Sequence, residues 1–192
     1  MKLARLTLLG LYMNFVLVIL FLARLIFGLI DTKIQAWTFW IILIALIISG
    51  FLNVLMAVLN VFKVLTIMKN KDYDLLRKHM KMLKFGSILY FILNFVLYFL
   101  LFAIFILASR GILLISPFPL LFLIPASCAY FTVVITSVYG IGVLLSLLRN
   151  KKISLKGFIL HIVMQLCFVL DILSTAIILI KFKKEEKNDE SA

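Results

Sequence analysis

Asp171 is the single carboxylate set inside an apolar stretch; Asp31, Asp72, Asp74, Glu185, Glu186, Asp189 and Glu190 all fall in expected loops or in the tail. A charge at membrane depth costs several kcal/mol and persists where it meets a partner or a hydrated cavity. Two chemistries suit such a residue: a structural ion pair, or binding of a cation or proton. Arg24 is also embedded in an apolar run. At roughly 1.5 Å per helical residue it lies about 28 Å from Arg5, and Asp171 about 22 Å from Lys156. With the two segments running in the same direction, an Arg24–Asp171 pair is expected in the outer half of the bundle.

His161 lies one turn from Gln165. With a reference pKa of about 6.5 it could relay protons, although a lone histidine at this depth more often hydrogen-bonds a neighbouring helix. About 15 Å of helix separates His161 from Asp171, which excludes a catalytic dyad. No HExxH, GxSxG, P-loop or GxGxxG pattern occurs, so no catalytic residue, metal site or cofactor is expected.

These residues require apolar helices to hold them. The chain of 192 residues is 65% hydrophobic with a mean hydropathy of +1.22, whereas soluble domains are about half apolar. Five stretches are long enough to span a bilayer: 6–30, 36–68, 85–108, 112–148 and 157–180, each reaching the roughly 20 residues required. The expected fold is an all-α polytopic transmembrane bundle, a single domain over 1–182 with a disordered charged tail at 183–192. Pro117, Pro119 and Pro125 interrupt 112–125. That piece is expected to form a broken or re-entrant cap before a fourth span at 118–148. The first apolar run, to Ile30, exceeds the core of a signal peptide and is expected to stay as a span. Cys128 and Cys167 show no metal or redox spacing and read as small buried hydrophobes.

The net charge of +12 borders the spans instead of forming a soluble patch, which argues against nucleic acid. Lys2 and Arg5, the basic residues of 69–84, and those of 149–156 should share the cytoplasmic side, where anionic inner-leaflet lipid attracts them. A bacterial cytoplasmic membrane is the expected location. Five spans put the N-terminus inside and the tail outside, a misfit for Lys181, Lys183, Lys184 and Lys187. In 69–84, Tyr73, Leu76, Met80 and Leu83 line one side of a basic helix. It is either a cytoplasmic extension of the third span or a docking surface for a protein partner.

Polar residues at helical spacing mark the inward faces. They run Thr7, Gly10, Asn14, Arg24 in the first span; Ser49, Asn53, Asn60, Lys63 in the second; Ser87, Tyr90, Asn94, Tyr98 in the third. The fourth carries Cys128, Thr132, Thr136, Tyr139 and Ser146, and the fifth His161, Gln165, Asp171 and Thr175. Such residues are ordinary interhelical glue one by one; five agreeing seams imply a polar interior. The candidate site is therefore Asp171, Arg24, His161, Gln165, Asn14, Asn53, Asn60, Asn94, Tyr90 and Tyr98. Three functions fit: a small non-enzymatic protein binding or translocating a solute or cation, an accessory or immunity-type membrane subunit, and, with least support, a lipid-modifying enzyme.

Overall fold

The structure, a computed structural model, describes residues 2–27, 35–110, 123–151, 153–167 and 170–190. Among these the regular elements are all helices: α1 (Lys2–Phe27), α2 (Gln35–Lys69), α3 (Tyr73–Ala108), α4 (Leu123–Arg149), α5 (Leu155–Leu166) and α6 (Leu170–Glu190). Four contain stretches long and apolar enough to cross a membrane, Lys2–Arg24, Trp37–Lys69, Tyr73–Leu107 and Ala129–Arg149. The cap expected at 112–125 lies, up to residue 122, outside the described residues.

Local chemistry sets the ends of these helices. α2 stops in a left-handed turn at Lys71 (φ 56°), with the Asp72 amide donating to the Ile67 carbonyl and the Lys71 amide to Met68. That pairing satisfies carbonyls the last turn would otherwise leave bare. The Asp72 side chain then accepts from the Leu75 amide at 3.1 Å and caps α3, so α3 starts at once. Ser154 caps α5 in the same way through the Gly157 amide at 3.2 Å.

The chain divides into two compact units, Met1–Asn60 and Val61–Ala192, the boundary falling within α2. In the first unit α1 and α2 are antiparallel. Asn60 donates to Thr7 Oγ1 at 2.7 Å and Asn53 to the Gly10 carbonyl at 3.3 Å. Farther along, the rings of Phe21 and Phe39 lie 5.4 Å apart. Gly10 is required at its crossing, because a Cβ there would stand 2.5 Å from Asn53 Oδ1.

In the second unit α4 is the central helix. Buried residues make up 67% of its apolar stretch, against 11% for that of α3. It packs on α3 and α5, while α6 lies against α5, α3 and α4. Gly142 lets α4 approach the end of α2, since a Cβ would meet Val64 Cγ1 at 2.6 Å. The segment 73–84 is continuous with α3 and not a separate surface helix: Leu76, Met80 and Leu83 are fully buried, while Lys78 and Lys81 stay exposed. Of the two expected readings, an extension of the third apolar helix matches this arrangement.

The fifth expected span, 157–180, requires correction. It is two short apolar helices, with Cys167 extended (φ −95°, ψ 127°) at the end of α5. Nδ1 of His161 and Oγ of Ser174 are 3.0 Å apart. One continuous helix would separate these residues by about 20 Å. The chain therefore turns back on itself, and α5 and α6 form an antiparallel hairpin.

Candidate functional site

The hairpin turn brings the first turn of α6 against α3 and α4. There the Lys84 ammonium donates to Asp171 Oδ1 and, at 2.7 Å, to Ser137 Oγ. Both charged residues are buried, Lys84 at 3% and Asp171 at 2% exposure. Ser137 in turn lies 3.0 Å from the Gln165 carbonyl oxygen, 2.8 Å from that of Val133 and 3.4 Å from Asp171 Oδ1. Lys84 comes from α3, Ser137 from α4, Gln165 from α5 and Asp171 from α6, so the centre exists only when all four pack.

Each element has a local reason to deliver its residue. On α3, Met80, Lys84, Ser87, Phe91 and Asn94 recur at alternating steps of four and three along the buried face. On α4, Val133, Ser137, Gly140 and Leu144 follow the same rule, with Thr136 buried beside them. The break at Cys167 places Gln165 among the last residues of α5, whose carbonyls have no successor in the helix. Asp171 sits in the opening turn of α6, where a carboxylate suits the unpaired amides.

The Gln165 side chain is fully buried and its amide has no hydrogen-bond partner among the described residues. It lies on the backbone of α4 at Gly140, where a Cβ would stand 2.5 Å from Nε2 and 2.6 Å from Oε1. Thr175 Oγ1, one turn beyond Asp171, is likewise buried without a partner among the described residues. His79 is buried, with its ring edge-on to Tyr139 at 5.2 Å and both nitrogens without a hydrogen-bond partner among the described residues.

The expected site residues separate into groups. Asp171 and Gln165 belong to the centre. His161 faces Ser174 across the hairpin, matching the hydrogen-bonded reading of that residue. Tyr90 and Asn94 are buried farther along α3, where Asn94 donates to the Tyr90 carbonyl at 2.8 Å, and Tyr98 is half-buried beyond them. Asn53, Asn60 and half-buried Asn14 belong to the first unit, the first two acting as glue between α1 and α2. Arg24 is there too, with Nε and Nη2 buried and unpartnered among the described residues. The expected pairing of Arg24 with Asp171 is corrected: the cation at Asp171 is Lys84. The hairpin is the physical reason, because it returns α6 toward the level of Lys84 instead of carrying it onward.

Sequence reasoning missed Lys84 and Ser137. In the sequence Lys84 reads as one of a run of loop lysines, yet the seam Ser87, Tyr90, Asn94 extends back by three residues directly onto it. No group of three or more His, Cys, Asp or Glu side chains that could hold a metal ion occurs among the described residues.

A family model matches residues 2–184. The chain belongs to a family of unknown function (DUF6652). The match takes in both units and every residue of the charged centre. No curated protein and no solved structure matches the chain.

Proposed function

We propose that this member of the family is a non-enzymatic multi-pass membrane protein that binds or translocates a small solute or cation at the centre around Asp171. The observation that carries the reading is the buried Lys84–Asp171 pair at a helix break. Interrupted backbone is tolerated at membrane depth where it is enclosed by protein or lines a site. Half-helices meeting ionisable side chains are how many transport folds build binding centres.

The same hairpin supports a revised topology of four spans and one re-entrant hairpin. Exposed Lys78 and Lys81 on α3, Arg149 at the end of α4 and Lys181 on α6 mark the basic side of the second unit, and Lys84, Ser137 and Asp171 lie toward the hydrocarbon from them. The hairpin enters beside Lys156 and returns at Lys181, so the tail lysines rejoin the other cytoplasmic basic groups and anionic inner-leaflet lipid. The accessory-subunit reading has less support. The apolar side of 73–84 that a partner would grip is buried within the second unit.

Reconstitution into liposomes loaded with a pH-sensitive dye, challenged with pulses of Na⁺, K⁺ and H⁺, tests the reading. The wild type should pass at least one of them. The paired neutral variant Lys84→Met with Asp171→Asn, which removes both charges and preserves their balance, should pass none while melting as a folded protein. Equal flux in the two proteins overturns the proposal.

A further inference from the structure

Resting on that reading, we infer that the Lys84 ammonium occupies an alkali-cation site, and that a Na⁺ or K⁺ ion and the ammonium proton exchange there one for one. The evidence is the atom set around the ammonium. Its two partners are oxygens, Asp171 Oδ1 and Ser137 Oγ, and the carbonyl oxygens of Gln165 and Val133 lie 3.0 and 2.8 Å from that hydroxyl. Carboxylate, hydroxyl and carbonyl oxygens are the donors that hard cations take.

The helix break is what brings a carbonyl into the set. In an unbroken α5 the Gln165 oxygen would be committed to an amide four residues on; at a helix end it is available to other donors and to cations. The Gln165 amide, packed on Gly140 of α4, is itself buried without a hydrogen-bond partner among the described residues.

Charge decides the valence. The centre holds one carboxylate and one ammonium and is neutral. A monovalent cation replacing the ammonium charge keeps that balance, whereas a divalent ion would leave an excess positive charge in a low-dielectric interior. The exchange is balanced in atoms and charge. The metal ion enters, one N–H bond of Lys84 breaks, its electron pair stays on Nζ, and the proton leaves to water. The neutral amine on its four-carbon stem then yields its place. Lysine suits this role because its amine has an accessible neutral form, which the guanidinium of arginine lacks.

The test uses the purified full chain in detergent, with NaCl, KCl and choline chloride as probes, reading thermal melts and proton release to a dye in weak buffer. With Na⁺ or K⁺ at about ten times its dissociation constant, the wild type should melt about 3–6 °C higher than in choline, and one proton should appear per ion bound. The gain should be larger at mildly alkaline than at mildly acidic pH. Lys84→Met, which leaves the carboxylate without its ammonium, should be rescued by the alkali cation and not by choline. Lys84→Arg should show neither the shift nor the release. No alkali-specific shift in the wild type at either pH, no rescue of Lys84→Met, or an equal shift in the doubly neutral variant overturns the inference. Flux of H⁺ alone that depends on the charged pair, without any alkali-specific shift, sinks this inference and leaves the broader function standing. An alkali-specific shift without flux does the reverse to translocation.

Discussion

Lys84 and Asp171 are 87 residues apart in sequence and meet as a buried ion pair, joining α3 to the first turn of α6. Removing one member of a buried pair leaves the other uncompensated, which typically costs about 3–5 kcal/mol, whereas removing both is often close to neutral. Lys84→Met and Asp171→Asn should each lower the melting temperature in choline buffer, and the double change should recover most of the loss. Melts of the two single variants and the double variant give the coupling. Additive losses would mean that the two side chains do not act as a pair.

The hairpin makes a topological prediction that differs from five simple spans. With Cys128 and Cys167 replaced by serine, Ser191→Cys in the tail should react with an impermeant maleimide only after cells are opened. A cysteine replacing Asn70 in the α2–α3 turn should behave in the same way. Tail labelling in intact cells would return the last segment to a full crossing and remove the basis for a re-entrant hairpin.

The long apolar helices were legible in the sequence because hydropathy over some twenty residues is a strong signal. The inward faces were legible too: Thr132, Thr136, Tyr139 and Ser146 on α4, and Ser87, Tyr90 and Asn94 on α3, are all buried. The break at Cys167 was not. No proline or glycine marks it, and apolar residues dominate 157–180 on both sides of Cys167, so period and length both indicate one span. Losing the break cost the ion pair as well. On a straight fifth helix Asp171 falls in the outer half, where Arg24 is the nearest available cation, and Lys84 is left among the loop lysines.

Asn60 tests the glue in the first unit apart from the charged centre. Its amide donates to Thr7 Oγ1 at 2.7 Å and to the Met56 carbonyl at 2.9 Å. Hydrogen bonds between membrane helices are worth about 0.6 kcal/mol, with measured values up to about 1.7. Asn60→Leu should therefore lower stability by an amount in that range. Flux and alkali-dependent melting should be unchanged, and loss of either would extend the functional centre into the first unit.

Two glycines separate packing from propensity. Among the described residues Gly50 in α2 has nothing within 4 Å of where a Cβ would stand, so Gly50→Ala should be neutral or stabilising by up to about 1 kcal/mol through helix propensity alone. Gly140 in α4 lies under the Gln165 amide, 2.5 Å from the site of a Cβ. Because Gln165 is fully buried, its amide cannot swing out to solvent. Gly140→Ala should then cost about 1–3 kcal/mol, as overpacking does. Shortening the opposing side chain with Gln165→Ala in the same chain should restore part of that loss, while Gln165→Ala alone opens a cavity. The displaced α5 end also carries the carbonyl that faces Ser137, so Gly140→Ala should reduce the alkali-dependent shift in melting temperature even where the protein remains folded. Equal stability of the two alanine variants would show that α5 does not lie as close to α4 at Gly140 as the contact requires.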